Sequence, residues 1–146
     1  MKEIVINKCY GGFRLSHKAI MRYAELKGFK LYCYTDKRDS NGRMLMSGEI
    51  RKCNPETADC YMVYYYKKEL TEDELTNHKD TDKYFFYERD LDRDDKTLVQ
   101  VVKELGKDAN GRHANLEVVE IPDDVKWCLE EYDGIEWVAE QHRTWG

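Results

Sequence analysis

Residues able to do chemistry gather at three places in this sequence. The first is Gly11-Gly12-Phe13-Arg14, preceded by Tyr10 and followed by His17 and Lys18. Paired glycines between a strand and a helix let backbone amides approach a ligand closely. A helix start already carries partial positive charge, so Arg14, His17 and Lys18 there oppose the dipole. An anion, most simply a phosphate, resolves that conflict. The motif is neither G-x-G-x-x-G nor a Walker loop. A Gly-Gly turn beside a solvated basic helix start is the plain alternative.

The second place is Asn110-Gly111-Arg112-His113-Ala114-Asn115, directly before a strand. Asn110, Asn115 and Arg112 are of the types that hold base edges, ribose hydroxyls and phosphate oxygens. An ordinary Asn-Gly turn explains the same residues. The third place is the aromatic C-terminal block, where Glu136, His142 and Arg143 lie among Tyr132, Trp137 and Trp145. A flat base can stack on such rings and Arg can match a phosphate. Core or subunit-interface packing is the competing account of Trp137 and Trp145. The runs 61–66 and 84–87 are also aromatic, and sheet core accounts for them better than a stacking surface.

Catalytic patterns are incomplete. His142-Arg143-Thr144 has the H-x-T form of a two-histidine phosphodiesterase, but His17, His78 and His113 supply no second copy. Neither G-x-S-x-G nor H-E-x-x-H occurs. A Cys9–His17 nucleophile has nothing in the sequence to favour it. Cys53 and Cys60 with His78 lack the tight spacing of structural zinc ligands. The candidates read as ligand holders, with no cofactor and no metal.

These residues need elements to position them. Ile4-Val5-Ile6 predicts a strand. Ser16 predicts the cap of a helix running to about Gly28, and 31–35 a second strand. Ser40-Asn41-Gly42 is a turn signal. Residues 61–66 and 84–87 predict strands. The charged loop 67–82 holds a short helix at 71–75, with Thr71 and Glu74 at capping-box spacing. Leu98, Val101, Val102 and Leu105 predict a helix over 95–105, stopped by Gly106. Residues 116–121 predict a strand. In the next segment Val125, Trp127, Leu129 and Glu131 alternate as in a strand while Val125, Leu129 and Tyr132 fit a helix, and the strand, paired with 116–121 as a hairpin, is the preferred reading. Asp133-Gly134 then leads into a helix over 136–142. The expectation is a single compact α+β domain over 1–146, mainly an antiparallel sheet with two or three helices, and with 36–95 as a variable middle segment.

Composition sets outer limits. The chain has 146 residues, with 24 Lys and Arg against 29 Asp and Glu, a formal net charge of −5. Net acidity argues against general nucleic-acid binding. No apolar run approaches the roughly 18 residues of a membrane span. The N-terminus shows no signal-peptide pattern. Five cysteines without a C-x-x-C read as reduced thiols, which places the protein in a cytosol.

Three stretches together resemble a known group. They are Lys2-Glu3-Ile4-Val5-Ile6-Asn7-Lys8-Cys9-Tyr10-Gly11-Gly12-Phe13 with Ser16-His17-Lys18-Ala19, then Leu98-Val99-Gln100-Val101-Val102-Lys103-Glu104-Leu105-Gly106 through Val118-Val119-Glu120-Ile121-Pro122, then Glu131-Tyr132-Asp133-Gly134 to His142-Arg143-Thr144-Trp145. The arrangement resembles small bacteriophage proteins, and among them the first type of Thoeris anti-defence protein. The middle, 36–95, is not covered.

The resemblance implies a signal sponge acting in the host bacterial cytoplasm. In Thoeris defence a TIR enzyme makes a glycosyl cyclic ADP-ribose from NAD, and that small-molecule cyclic nucleotide activates a killing effector. The phage family binds the signal without cleaving it. It forms homodimers and, in some members, hexamers, and some members capture cyclic oligonucleotides at separate sites. Such a ligand suits Tyr10, Gly11, Gly12, Phe13, Arg14 and His17 at one loop. Asn110, Arg112 and Asn115 would serve at another, and Glu136, His142 and Arg143 near the C-terminus. A phage enzyme that degrades a nucleotide signal, or a protein-interaction inhibitor of a host defence complex, are the alternatives.

Overall fold

Ile4, Val5 and Ile6 are almost fully buried, and with their neighbours they form β1 (Lys2–Asn7). The structure is a computed structural model that describes residues 1–57, 60, 62–77 and 80–141. The chain is α+β with antiparallel sheets, and it gathers into two compact units. One unit comprises Met1–Lys27 with the described part of Glu88–Gly146. The other is the continuous segment Gly28–Tyr87.

In the first unit β1 pairs antiparallel with β6 (Leu116–Ile121), from Lys2 opposite Ile121 to Asn7 opposite Leu116. Helix α1 (His17–Lys27) starts as the sequence predicts, with Ser16 Oγ accepting from the Ala19 amide at 3.1 Å. Gly28 takes φ +85° just beyond its end, a conformation open to glycine. Helix α3 (Lys96–Leu105) is capped by Asp95, which accepts from the Thr97 and Leu98 amides. Its buried face, Leu98, Val99, Val101 and Val102, meets Ile4, Val5, Ile6, Ala19, Ile20 and Ala24 in the core. Arg22 forks onto Glu104 at 3.0 and 3.1 Å and joins the two helices.

Two expectations fail in this unit. Strand β6 does not pair with the segment that follows it; its partner among the described residues is β1. The next strand, β7 (Trp127–Tyr132), pairs instead with β8 (Ile135–Glu140). The predicted helix over 136–142 is therefore a strand as far as Glu140. Asp133 at φ 51° and Gly134 at φ 91° form the tight turn between them. Two successive positive φ values match the right-handed twist of paired strands, which is why Asp-Gly marks a hairpin.

The second unit is a four-stranded antiparallel sheet ordered β3-β2-β4-β5. Its strands are β2 (Tyr32–Asp36), β3 (Ile50–Lys52), β4 (Tyr64–Tyr66) and β5 (Phe85–Phe86). Strand β3 had no counterpart in the sequence reading, and β4 and β5 are shorter than the aromatic runs that announced them. Tyr34, Ile50, Tyr66 and Leu70 form the core, with Tyr32, Tyr64, Leu75 and Tyr84 packed around it. Tyr65, Tyr66 and Phe86 of the aromatic runs are buried, while Phe85 and Tyr87 stay exposed, so the expectation of sheet core holds for part of them. The Tyr34 hydroxyl reaches the Leu70 amide at 2.8 Å and satisfies both groups inside the core. Helix α2 (Glu72–Thr76) carries the expected capping box between Thr71 and Glu74.

Candidate functional site

Three loops of the first unit meet at the end of β1, and Asn7 ties them together. Its side chain is fully buried. Nδ2 donates to the carbonyls of Cys9 and Gly134, each at 2.7 Å. Oδ1 accepts from the amides of Cys9 at 3.3 Å and Asn115 at 2.9 Å. One amide therefore joins the loop after β1, the segment before β6 and the turn between β7 and β8. All four of its strong hydrogen-bonding positions are used.

Glycines let these loops touch. A Cβ on Gly11 would fall on His113, and one on Gly134 would fall on the Tyr10 carbonyl. A Cβ on Gly111 would lie 2.6 Å from Arg14 Cβ, and one on Gly12 would lie 2.9 Å from Arg89 Nη2. The space that Gly11 opens is thus filled by His113, which itself holds φ 61°. The Arg89 guanidinium covers Gly12, and its Nε donates to the Phe13 carbonyl at 3.2 Å.

Beneath the loops lies a buried ion pair. Arg93 forks onto Glu136 at 2.5 and 2.8 Å, with the two side chains 13% and 11% exposed. The Glu136 carboxylate also accepts from the Asn7 amide at 2.8 Å. The guanidinium lies over the Phe13 ring, 3.7 Å from its centroid. Phe13 is 3% exposed. Phe13 and Glu136 are therefore engaged inside the protein, not offered to a ligand.

The remaining expected residues divide as follows. Asn110 Oδ1 accepts from the Leu116 amide at 2.8 Å and sets the entry to β6. Arg14 is half-buried, with its carbonyl accepting from the Gly111 amide at 2.9 Å. His17 opens α1, where Ser16 Oγ donates to the Asp108 carbonyl at 2.5 Å and Lys18 stands 3.7 Å from the Asp108 carboxylate. Asp108 thus eases the charge conflict at the helix start. Tyr10, Arg112, His113 and Asn115 are exposed. His142 and Arg143 lie outside the described residues.

The sequence reading missed Asn7, Arg93, Arg89 and Glu88. Glu88 is 7% exposed. Burial pushes its carboxyl up, against the pull of its own amide, Arg14 and Arg89. An asparagine directly after an apolar strand and before a glycine turn was the available signal for Asn7. The others sit in a charged stretch without a pattern.

Two further features limit the chemistry. Among the described residues no group of three or more His, Cys, Asp and Glu is placed to hold a metal. A groove of about 470 Å³ at the opposite end of β1 is lined by Met1, Lys2, Glu3, Asp94, Lys96, Val99 and Asp123. It mixes both charges and has no aromatic ring, so it does not suit a base. No described helix is long and apolar enough to cross a membrane. Comparison of the chain with protein-family models, with curated proteins and with solved structures returns no match.

Proposed function

We propose that this protein is a phage counter-defence protein that binds a TIR-made glycosyl cyclic ADP-ribose and holds it uncleaved. The single observation that carries the reading is a juxtaposition. The segments that carry Arg89 and Arg112 each touch the loop that carries Arg14, at the loop end of the first unit, beside exposed Tyr10. Guanidinium groups match the pyrophosphate of such a ligand, and a tyrosine ring matches its adenine. Tyr132, next to the Asp133-Gly134 turn that packs on Tyr10, adds a second exposed ring. The loops are braced by Asn7 and by the Arg93–Glu136 pair, so little ordering remains to be done on binding. A homodimer would complete the enclosure around a surface that one copy leaves open.

Calorimetric titration with the product of an activated Thoeris TIR enzyme tests the proposal. A sponge shows nanomolar affinity, about −12 kcal/mol, and returns intact ligand on heating. Paired replacement Arg14→Ala and Arg112→Ala weakens binding about a hundredfold, close to 2.7 kcal/mol. Chemically altered ligand would make the protein an enzyme. One observation favours a second reading, an inhibitor that docks on a host defence protein. The glycines close the loops on one another and leave a surface rather than an amide nest. Absence of any heat with the nucleotide would select that reading.

A further inference from the structure

The hairpin of β7 and β8 leaves a strand edge open among the described residues. Strand β8 lies against β1 on one side and β7 on the other. The ladder continues past β7, where the Gln141 amide donates to the Lys126 carbonyl at 2.8 Å. Backbone groups alternate between the two sides of a strand, so Lys126, Cys128, Glu130 and Tyr132 turn theirs toward β8. Those of Trp127, Leu129 and Glu131 face away, and among the described residues no backbone partner meets them. An edge of this kind is a template for another chain. Side chains alternate as well, which puts Lys126, Cys128 and Glu130 on one face of the hairpin. Lys126 and Glu130 are exposed and Cys128 is half-buried. Exposed Trp137 stands opposite Glu130, and its Nε1 donates to the Glu130 carboxylate at 3.0 Å.

Charge along this edge selects its partner. Two copies meeting edge to edge about a two-fold axis pair antiparallel, and only registers that oppose outward-facing residues form the ladder. A register centred on Trp127 brings Asp124 against the partner's Glu130, and one centred on Glu130 brings that residue against the partner's Glu130. Both oppose like charges. One centred on Leu129 sets Glu130 against the partner's Cys128 and Glu131 against the partner's Trp127, and pairs no charges. The register centred on Cys128 sets Lys126 opposite the partner's Glu130, and Trp127 opposite the partner's Leu129. The two-fold axis repeats each pair.

We propose that the β7 edge is an interface for a second copy of this chain, joined antiparallel in the register centred on Cys128. The two hairpins become one four-stranded sheet with the β7 strands at its centre. Two Lys126–Glu130 pairs and two Trp127–Leu129 pairs fix the register. Cys128 meets the partner's Cys128 at a position without ladder hydrogen bonds, where Cα atoms lie about 4.5 Å apart. That is inside the span of roughly 4.4–6.8 Å that a disulfide bridges. The inference stands on this edge alone and needs no ligand.

The test uses the full chain without nucleotide. Sedimentation equilibrium should show a monomer–dimer balance that moves to dimer with concentration. Lys126→Glu makes both charge pairs repulsive and should weaken the dimer about tenfold. Lys126→Glu with Glu130→Lys restores both pairs in reverse and should recover the parent affinity to within about threefold. Diamide then reads the register, taking one hydrogen from each of two Cys128 thiols and leaving one S–S bond between copies. Cleavage after Lys126 and Arg143 should give peptide 127–143 joined to a second copy of itself. Cys128→Ser should lose the cross-link and keep the non-covalent dimer. A chain that stays monomeric at millimolar concentration would overturn the proposal. A dimer that Lys126→Glu leaves unchanged would do the same, as would a cross-link through Cys9 with Cys128 still open to alkylation.

Discussion

Replacing Asn7 with alanine should unfold the loop end from its centre. The change removes four hydrogen bonds made by one fully buried side chain. It leaves the amides of Cys9 and Asn115 and the carbonyls of Cys9 and Gly134 without that partner. A typical bond contributes about 1 kcal/mol net, and partial access of water to the loops offsets some of the loss, so the expected cost is about 3 kcal/mol. That is a large share of the roughly 5–15 kcal/mol that holds a domain folded. Urea titration followed by circular dichroism should show the midpoint falling by about 1.5 M with an unchanged slope. Asn7→Asp sharpens the test. It keeps the oxygen that serves the Cys9 and Asn115 amides, but it turns a second oxygen toward the Cys9 and Gly134 carbonyls, near Glu136. The introduced carboxylate is disfavoured in the fold, so its native pKa lies above its unfolded value. The variant is therefore least stable at neutral pH and recovers as pH falls through that raised pKa. An Asn7→Ala protein within about 0.5 kcal/mol of the parent would refute the claim that this amide holds the loops.

Other consequences follow from the same geometry. Arg93→Ala leaves the Glu136 carboxylate buried and unpaired and should cost about 3–5 kcal/mol, measured by thermal or urea unfolding. Gly134→Ala should cost clearly more than Gly42→Ala. Both sites have positive φ, but a Cβ at Gly134 meets the Tyr10 carbonyl while one at Gly42 meets nothing within 4 Å, so Gly42→Ala should cost only about 1 kcal/mol. Asp95→Ala should cost about 1–2 kcal/mol, because it removes the α3 cap and the 2.6 Å bond from the Tyr23 hydroxyl. Burial alone would raise the Asp95 carboxyl, but hydrogen bonds from Tyr23, Leu98 and Thr97, and the charge of Lys27, carry it lower. Its contribution is therefore present above the unfolded carboxylate range and lost as pH falls through the lowered native value. An acid titration of stability should show that loss in the parent and not in Asp95→Ala.

Local signals in this sequence were legible where one segment sufficed to decide its own structure. Ser16, Thr71 with Glu74, and the spacing of Leu98, Val101 and Val102 each announced a helix that formed. Pairing was not legible, because β1 finds its partner in β6 at the far side of the chain. Residues 135–140 show why periodicity can mislead. Ile135, Val138 and Ala139 fit a helical face, and only a buried Glu136 breaks the pattern. That burial depends on Arg93, which lies 43 residues away in the chain. The candidate site was legible as a neighbourhood, since the loops around Gly11, Gly111 and Gly134 do meet. The duties within it were not. Phe13 and Glu136 looked available as isolated residues and are engaged by one arginine, while Asn7 carried no charge or ring to draw notice.

The pairing of β1 with β6 has a consequence for how this chain leaves the ribosome. Lys2 cannot pair until Ile121 has been made. Every strand of the second unit is complete by Phe86. At roughly 5–20 residues per second, β1 waits several seconds or more for its partner. Through that interval Ile4, Val5 and Ile6 form a short, β-branched, unpaired strand of the kind that seeks other edges. The inserted segment Gly28–Tyr87 has all its strand partners within itself and can fold in the meantime. The order of folding thus departs from the order of synthesis, with the middle first and the two ends closing together last. Aggregation of nascent or truncated chains should accordingly start from β1, and end when β6 arrives.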